Sequence, residues 1–503
     1  MFSKLPGLDR GHARRRVKHT AWLAVLGALL LPAPSAPAAV PLTKVIRDPF
    51  ANPQSQHATA VEPDSFAFGN TMVVVSQVGR RFDGGSSGTG FATSTNGGAS
   101  WTGGQLPGLT VYQTPPGPYE RVSDPAIAYD ARHGVWLAQS AVLLDGPFGT
   151  YAVGIVVNRS TDGGLTWSNP VLSANAPADS ADKNWIVCDT HASSPFYGRC
   201  YQTWDNGFGL LRQNYSTDGG LTWSTPVPTA DNASGIGGQP LVQPDGDVIV
   251  PALTQDADAI IAFRSTDGGV SWSAASTITA APIHTVADVR SDPLPSAEID
   301  AGGKVYVVWQ DCRFRAGCTV NDLVMTTSAD GVTWTPVARI PIDPVRSKVD
   351  HFIPGLAVDP GTSGARARLG LAYYVLRGDL FHEALCLWKN RCGLEVGYVQ
   401  SNNGGRTWSL PTSVAGPFSV DWIANTTLGR MVGDYISTSW MNGRAWPAFA
   451  IASAPAGGVF DEPIAVPARG LLSSGLFNLL GSERPVGRAI ASHRSTSAPV
   501  LRR

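Results

Sequence analysis

The eight residues STDGGLTW at Ser160–Trp167 occur again unchanged at Ser216–Trp223 and, as STDGGVSW, at Ser265–Trp272. Three further copies are degenerate, and they are STNGGASW at Ser94–Trp101, SNNGGRTW at Ser401–Trp408 and the shorter SADGVTW at Ser328–Trp334. Successive tryptophans of the six copies lie 49 to 74 residues apart. This spacing indicates that one supersecondary unit is used repeatedly along the chain.

The repeated stretch has the chemistry of a hairpin turn. Its Asp or Asn can bond its own backbone, and its glycines adopt positive φ angles without a steric penalty. The tryptophan is expected to begin the next strand as a large buried anchor. A calcium loop is the alternative, but the alternating acids of an EF-hand are missing. The pattern therefore predicts a structural turn at each copy.

The composition agrees with many short strands joined by tight turns. The 503 residues include 55 Gly, 38 Pro and 15 Trp, and only 15% are charged, well below the roughly 25% of an average domain. With 43% apolar residues the chain is too hydrophobic to be disordered. Its 38 Lys and Arg balance 39 Asp and Glu, which gives no support to nucleic-acid binding.

Residues 1–39 have the pattern of a secretory signal peptide. Basic residues precede an apolar run from Ala21 to Leu31, and small residues around Ala38 and Ala39 supply a cleavage site. The alternative is an uncleaved anchor, although this run is shorter than a spanning helix and no later segment approaches 18 apolar residues. Removing six positive charges and one negative charge takes the formal net charge from −1 to −6. We expect a secreted, monomeric protein without a membrane span.

The six cysteines fall into three close pairs along the chain, and they are Cys188 with Cys200, Cys312 with Cys318, and Cys386 with Cys392. Fifteen pairings are possible, and bridges between nearest neighbours are the simplest, each closing a short loop. Metal binding would want CxxC pairs or interleaved histidines, and neither occurs. We therefore expect disulfides and neither a metal nor another cofactor.

The motif S-x-D-G-G-x-x-W resembles the Asp-box, or BNR repeat, of sialidases and related β-propellers. The resemblance covers about residues 56–467 and implies an all-β fold of four-stranded blades around an axis. A strand pair precedes each copy, as at Asp124–Asp130 before Val135–Ala138. Seven such starts favour seven blades, with six as the alternative because sialidases resemble a six-bladed wheel. The domains are then a signal peptide at 1–39, a propeller at 40–467 and a tail at 468–503.

Polar residues concentrate where a propeller exposes them on one face. The starts of the innermost strands and the loops between second and third strands open on that face, so the Asp-box turns are expected on the opposite one. Charge in a charge-poor protein therefore gathers at the mouth of the axis. The residues singled out there are Glu62, Arg80, Arg121, Asp124, Asp182, Lys183, Arg290, Asp292, Arg313, Asp350, His351, Arg430, Asp434 and Tyr435.

The resemblance to sialidases implies a secreted glycoside hydrolase that acts on an acidic glycan by a retaining mechanism. Three arginines would bind the sugar carboxylate, with a Tyr nucleophile, a Glu that activates it and an Asp acid/base. Blade position nominates Arg121, Arg290 and Arg430 for the carboxylate, with Arg313, Asp292 and Asp434 as further substrate-binding residues. It nominates Tyr435, Asp124, Asp350, Glu62 and His351 as the catalytic candidates.

Other interpretations of the same residues stay open. Asp before Pro at a strand start often caps a turn, the arginines can simply neutralise neighbouring carboxylates, and His351 is as well explained by packing. Sialidases carry Arg-Ile-Pro near the start, whereas here Arg339-Ile340-Pro341 follows the fifth copy on an outer strand, a match we interpret as accidental. A lyase of uronic-acid polysaccharides would rely on His351 and Tyr435, and a non-catalytic propeller would only bind glycan or protein.

Overall fold

The computed structural model describes residues 40–147, 149–175, 181–377, 393–472 and 477–478. Within these ranges the fold is all-β, with 34 strands and three short 3₁₀ helices at Ala316–Cys318, Gly364–Arg366 and Val420–Trp422. No helix in these ranges is long and apolar enough to cross a membrane. The expected signal peptide and the pair Cys386 and Cys392 lie outside the described residues.

Five separate four-stranded antiparallel sheets and one eight-stranded sheet form a β-propeller. The strands of the eight-stranded sheet are β2 (Ala60–Phe68), β3 (Thr71–Arg80), β4 (Ser86–Ser94), β5 (Thr102–Gln105), β6 (Arg121–Asp130), β7 (Val135–Gly146), β8 (Gly149–Ser160) and β9 (Val171–Asn175). A single pairing, Ser86 with Val122, joins β4 to β6 and so connects its two halves.

Four separate sheets follow in chain order, each built from consecutive hairpins. The first two are β10 (Ala181–Cys188), β11 (Cys200–Asn206), β12 (Leu211–Ser216), β13 (Val227–Pro228), and β14 (Leu241–Val242), β15 (Val248–Leu253), β16 (Ala259–Ser265), β17 (Ser276–Ala280). The next two are β18 (Ser296–Ile299), β19 (Val305–Asp311), β20 (Asp322–Ser328), β21 (Ala338–Arg339), and β22 (Val349–Val358), β23 (Leu369–Arg377), β24 (Gly393–Ser401), β26 (Thr412–Ser419).

The fifth separate sheet combines both ends of the propeller. Its strands are β29 (Ser437–Met441), β30 (Arg444–Ala450), β33 (Ile464–Pro467) and, as the outermost, β1 (Leu42–Ile46). Three small ladders complete the fold, and they pair β25 (Trp408–Ser409) with β34 (Phe477–Asn478), β27 (Ala424–Thr426) with β28 (Gly429–Met431), and β31 (Ser453–Ala456) with β32 (Val459–Asp461). Because an early strand completes the last sheet, the two ends of the propeller are hydrogen-bonded together.

The Asp-box copies are tight turns between the third and fourth strands of their sheets. In one copy Ser160 Oγ accepts the Gly164 N–H at 2.8 Å, while Asp162 Oδ1 accepts the N–H groups of Leu165 and Thr166 at 3.1 and 3.0 Å. The same serine-to-glycine bond, at 2.8–2.9 Å, closes all six copies. The carboxylate is thus engaged by its own turn, which confirms a structural role.

The second glycine of each box fits only because it has no side chain. A Cβ on Gly164 would lie 2.7 Å from the Val73 side chain, and one on Gly98 would lie 2.1 Å from Trp446. Gly164 thus meets the first half of the eight-stranded sheet from the second half, and Gly98 of the first box meets the last sheet. The turns therefore lock neighbouring sheets together around the ring.

The box tryptophans differ from the expected buried anchors. Trp272 and Trp408 are buried, but the other four, Trp101, Trp167, Trp223 and Trp334, are half-buried. They lie just outside the fourth strand, where one ring face packs on the sheet, as Trp167 does against Phe91 with ring centroids 5.8 Å apart. A position at the outer edge of the propeller leaves the other ring face near solvent.

Two of the three expected disulfides are confirmed. Cys188–Cys200 ties the ends of β10 and β11, and Cys312–Cys318 closes the loop between β19 and β20. Arg313 lies in that second loop, where its guanidinium bonds Asp311 at 2.9 Å and Thr279 at 3.1 Å. These bonds hold the Arg313 side chain against Asp311 at the end of β19 and against Thr279 in β17.

Candidate functional site

A cavity of about 220 Å³ lies where the first strands of the sheets converge. Its lining includes one or more residues from the first strand of each separate sheet and of both halves of the eight-stranded sheet. Representative lining residues are Ser65, Ile127, Lys183, Leu241, Glu298, Leu356 and Ser437. The starts of these strands consequently surround one shared opening, and the charged residues at those starts define the candidate site.

Three charged residues at these starts have unusual backbone conformations. Glu62, Asp124 and Lys183 have φ angles of +54°, +48° and +44°, a left-handed region that residues other than glycine seldom occupy. Each lies where the register of its strand shifts, which is the mark of a β-bulge. Bulges redirect side chains, and strain of this kind gathers at functional sites. The backbone therefore aims these three side chains away from the sheet.

Lys183 lies at the centre of the resulting ion pairs. Its Nζ is 2.9 Å from Asp124, 3.1 Å from Asp434 and 3.2 Å from Asp182, and its side chain is 8% exposed. Burial lowers the pKa of Lys183, but the charges of these carboxylates raise it by a larger amount. The pKa of Lys183 therefore stands well above its usual value. The ammonium group is permanently charged and neutralises part of the acid excess.

Arg290 clamps Asp434 from the other side. Its Nε donates to Asp434 Oδ1 at 2.5 Å and its Nη2 donates to Oδ2, a bidentate pair of the kind that fixes geometry well. Burial would raise the pKa of Asp434, but Arg290 and Lys183 outweigh it and hold the pKa below its usual value. Asp434 is therefore an ionised, fully paired carboxylate.

Glu62 is the opposite case. Burial and the neighbouring charges of Asp434 and Asp124 raise the pKa of Glu62 to about 8. Its carboxyl accepts bonds from the Gln77 side-chain amide and, at 3.3 Å, from the backbone N–H of Asp434. Arg80 is buried beside it and donates to Gln77 at 2.9 Å. Near neutral pH, Glu62 holds a proton next to an ionised neighbour.

Two further carboxyls are accessible. Asp182 is 56% exposed, and although burial raises its pKa, Lys183 and other neighbours lower it below the usual value. Asp292 is half-buried, and its pKa is raised by burial and then by the charge of Asp434. Among the described residues no side chain or backbone group bonds the Asp292 carboxylate. We call Glu62, Arg80, Asp124, Asp182, Lys183, Arg290, Asp292 and Asp434 the axial cluster.

Two of the three nominated arginines are bonded outside the axial cluster. Arg121 pairs with Asp83 and Asp145, each at 2.6 Å. Arg430 donates to the Ile423 carbonyl at 3.1 Å and lies 3.6 Å from Asp421. Only the backbone of Arg430 reaches the site, since its carbonyl accepts the N–H of Arg290 at 2.8 Å. The structure thus brings one guanidinium of the trio, that of Arg290, to the cluster.

Tyr435 lies beside the cluster but is buried. Its hydroxyl donates to the Pro125 carbonyl at 3.0 Å, and its ring packs edge-on against Trp185 with centroids 5.1 Å apart. Burial, followed by the charges of Glu62 and Asp124, raises the pKa of Tyr435 well above its usual value. The phenol is consequently kept neutral.

Asp350 and His351 belong to a different region. Asp350 accepts the backbone and side-chain N–H groups of Asn321 at 2.7 and 3.0 Å, and the His351 ring lies 3.8 Å from Asp343. Burial lowers the pKa of His351 although Asp343 opposes this effect. We call this second group, formed by Arg315, Asp322, Arg339, Asp343 and His351, the outer network.

The outer network has the ligand types of a metal site, since Asp322, Asp343 and His351 offer atoms within 4.8 Å of one another. However, Arg315 lies 2.5 Å from Asp322 and 2.6 Å from Asp343, and Arg339 lies 2.9 and 2.7 Å from the same two carboxylates. Guanidinium groups already neutralise these acids. Arg339, part of the Arg-Ile-Pro match, lies on the outermost strand of its sheet, as expected.

Sequence reasoning missed two acids inside the cavity. Asp64 and Glu298 line it, and burial raises their pKa values to about 7 and about 8. The only sequence signal for these two residues is that each is an acid within the first strand of its group, β2 for Asp64 and β18 for Glu298. It also missed the central position of Lys183, because a bulge is not readable from residue types.

Comparison with known proteins supports the fold assignment. A model of the BNR repeat-like domain matches residues 149–400, half of the chain. A xyloglucanase from a Paenibacillus species is 30% identical over 207 residues, which cover 38% of this chain and 18% of that protein. The chain thus spans less than a fifth of the length of this relative.

Solved structures with related folds include glycan-processing proteins. The intramolecular trans-sialidase from Ruminococcus gnavus is 14% identical over 63% of this chain and 90% of its own, with a TM-score of 0.44. A protein of unknown function from Dyadobacter fermentans is 17% identical over 67% and 95% of the two chains, with a TM-score of 0.42. Similarity at this level carries no argument about activity.

Proposed function

The chain belongs to the family of BNR repeat-like domains, and on that premise we propose that it is a glycoside hydrolase acting at the axial cluster. One observation carries the proposal. Asp182 is 56% exposed and lies 3.2 Å from Lys183, while Asp292 is half-buried with no bond to its carboxylate among the described residues. The pKa values of these two carboxyls are displaced in opposite directions. Such a pair separates the roles of acid and base.

In this proposal Asp292 is the general acid and Asp182 the base. Burial and Asp434 favour the protonated form of Asp292, which can give its proton to the oxygen of the leaving sugar. Lys183 keeps Asp182 ionised, so that Asp182 can accept a proton from an attacking water. The paired carboxylates Asp124 and Asp434 hold Lys183 and Arg290 in place.

The other catalytic candidates receive less support. A nucleophilic Tyr435 would need a lowered pKa and an exposed hydroxyl, but burial has the opposite effect. Glu62 carries a proton but is 1% exposed, so we assign it no contact with the substrate. Its proton keeps one carboxyl of the axial cluster uncharged. A lyase based on Tyr435 and His351 would need these two residues together, and His351 contacts the outer network.

We favour a neutral glycan over the acidic one expected from the resemblance. Recognition of a sugar carboxylate requires free guanidinium groups. Arg121 and Arg430 are bonded elsewhere, and Arg290 is committed to Asp434. With Glu62 and Asp292 protonated, the three remaining carboxylates balance the three cations, so the cluster has no net positive charge to attract an acidic sugar. An acidic glycan stays the second candidate, because Arg290 is the one guanidinium of the trio at the opening.

A panel assay tests the proposal. Wild type, Asp292→Asn and Asp182→Asn are incubated with xyloglucan, arabinan, a sialoside and a uronic-acid oligosaccharide, and released reducing sugar is measured. Asp245→Asn is the matched control, since this exposed Asp lies in the turn between β14 and β15. We expect a neutral glycan to be cleaved by wild type and control only. Saturable binding without turnover of any glycan would favour a binding module and refute the hydrolase.

Three structural proposals accompany this function. The eight-stranded sheet, joined by the single pairing of Ser86 with Val122, counts as two blades and makes seven in total. Arg80 of the axial cluster lies at one end of β3, and Ser94, the first residue of a box, pairs with Met72 at the other end. We therefore place the boxes on the face of the propeller away from the cluster. The protein is exported, a proposal that the Cys188–Cys200 and Cys312–Cys318 bridges support.

A further inference from the structure

Few aromatic side chains in the described part of the chain are exposed to solvent. Among the described residues four aromatic side chains are more than two-fifths exposed, and they are Phe68 at 44%, Phe82 at 50%, Tyr151 at 41% and Phe208 at 73%. Phe68 lies at the far end of its strand and packs on Tyr129 with centroids 4.5 Å apart. Phe82 and Phe208 lie on loops between second and third strands, in β2–β5 and β10–β13, and Tyr151 lies near the start of the third strand, β8, in β6–β9.

The loop that carries Phe82 is held by two buried arginines. Arg81, 3% exposed, bonds Asp145 at 2.9 Å, and Arg121, 7% exposed, bonds both Asp83 and Asp145 at 2.6 Å. The Phe82 carbonyl also accepts the N–H of Thr427 at 3.1 Å. Asp83 is 59% and Asp145 38% exposed, so these ion pairs contribute little net stability and are better explained by the geometry that they fix. Here they fix a loop whose only large exposed group is a phenylalanine.

The same network holds the hairpin that carries Tyr151. Asp145 lies in that hairpin and accepts bonds from Arg81, Arg121 and, at 3.2 Å, the hydroxyl of Thr150. Asp145 therefore links the loop of Phe82 to the residue next to Tyr151. The two aromatic residues are positioned by one set of contacts.

The turn that carries Phe208 is fixed by a side chain of its own. Asn206, 4% exposed, accepts the N–H groups of Phe208 at 3.0 Å and Leu210 at 2.9 Å through Oδ1. Phe208 is 73% exposed on this fixed turn, so its ring contributes little buried apolar area to the fold. Its position suits contact with a ligand.

The chain connects the aromatic residues to the axial cluster. Phe82 follows Arg80 by two residues, and Phe208 follows Asn206, whose neighbour Asp205 pairs across the sheet with Asp182. Arg121, which starts β6, positions the Phe82 loop and lies three residues before Asp124. The three aromatic residues thus belong to three successive four-stranded groups, and each group contributes a residue to the cluster.

We propose that Phe82, Tyr151 and Phe208 are the stacking platform of an extended binding cleft for a neutral oligosaccharide. This inference rests on the proposed function and names its substrate class, a chain of several pyranose sugars rather than a single terminal sugar. The apolar faces of such sugars pack on aromatic rings, while their hydroxyl groups reach the polar residues between the rings. Arg121 is a positioning residue for the platform and does not contact the sugar.

Binding measurements test the platform independently of turnover. Calorimetry is performed on wild type, Phe82→Ala, Phe208→Ala and the control Phe68→Ala, with hexasaccharides and disaccharides of β-1,4-glucose, β-1,4-xylose and β-1,4-mannose. We expect at least one hexasaccharide to bind, and each platform variant to weaken that affinity about tenfold. The disaccharide affinity and the Phe68→Ala variant are expected to be unchanged. Circular dichroism melts check that every variant is folded.

The outcomes separate the two proposals. Equal hexasaccharide affinities for wild type and both platform variants would overturn the platform, as would absence of binding to all three hexasaccharides. Turnover that does not depend on Phe82 or Phe208 refutes the platform alone. Binding that depends on both, without turnover of any glycan, supports the platform and refutes the hydrolase.

Discussion

The axial cluster and the outer network are both buried groups of Asp and Arg or Lys side chains, yet they differ in balance. In the outer network two arginines face two aspartates, and every carboxylate has a cation within 3 Å. In the axial cluster the acids outnumber the cations. The acids of the axial cluster therefore cannot each be paired with a cation of their own.

The backbone shows the same contrast. The axial residues Glu62, Asp124 and Lys183 have left-handed φ angles at bulges. No positive φ angle is found at the residues of the outer network. Local strain and unbalanced charge reduce stability and persist where function requires them, whereas paired, unstrained charges stabilise geometry. This contrast is the reason for which we propose that the reaction takes place at the axial cluster and that the outer network supports the fold.

The largest effect is expected from Asp292→Asn. If Asp292 protonates the leaving group, removing its proton lowers kcat for glycan cleavage by about 10²- to 10⁴-fold. The free energy of unfolding should be unchanged or slightly higher, since burial disfavours the charged form of Asp292. Steady-state kinetics and urea unfolding of the same preparation measure both quantities.

Asp245→Asn is the control for a changed carboxyl, with activity expected to equal that of wild type. A loss of activity below threefold in Asp292→Asn would assign the proton donation to another residue.

The next effect is on stability and concerns Arg315→Ala in the outer network. Arg315 is 5% exposed and bonds Asp322, Asp343 and the carbonyls of Pro344 and Val345. Its removal leaves buried carboxylates with a single remaining cation, which costs about 3–5 kcal/mol of unfolding free energy. Urea unfolding measures this loss.

Arg366→Ala, at an exposed position, should change stability by less than about 0.5 kcal/mol. Activity per folded molecule of Arg315→Ala is expected to be normal. A stable but inactive Arg315→Ala protein would show that the outer network takes part in the reaction.

A smaller effect is expected for pH dependence through Glu62. The pKa of Glu62 is raised from 4.5 to about 8, so between these values the folded protein holds a proton that the unfolded chain has released. The contribution is complete below pH 4.5 and is lost as the pH rises through 8. Glu62→Gln should therefore lose roughly 3.5 kcal/mol less stability than wild type between pH 5 and 8.

Chemical unfolding at several pH values measures this slope for both proteins. Asp64 and Glu298 are raised in the same direction and remain in the variant, so the slope should flatten without vanishing. Parallel slopes for wild type and Glu62→Gln would contradict the raised pKa.

The fold was predictable because its signal is local. The serine, the Asp or Asn and the glycines of each box make their bonds within eight residues, so their types suffice to predict the turn. The pairing of Cys188 with Cys200 followed from short spacing in the same way. The burial of the box tryptophans was not predictable, because it depends on how far each turn lies from the neighbouring sheet.

For the candidate site, the sequence predicted which residues lie near one another but not the directions of their side chains. Strand starts correctly brought Glu62, Asp124, Arg290 and Asp434 together, because topology converges those starts on one axis. Residue types do not show where a long side chain turns, and Arg121 and Arg430 reach Asp83 and Asp421 instead. Bulges, which place Lys183 among three acids, arise from packing of whole sheets.

His351→Gln gives the smallest expected effect and the sharpest test of the comparison. Burial keeps His351 neutral, its Nδ1 lies 3.4 Å from the Asn321 carbonyl, and its ring packs edge-on to Tyr373. Glutamine can replace the polar contact but not the ring, so we expect a loss of about 1 kcal/mol in unfolding free energy. Profiles of kcat/KM from pH 4 to 9 should superimpose on those of wild type. Loss of one limb of that profile would mean that His351 exchanges a proton with the substrate, and the division between axis and outer network would then be wrong.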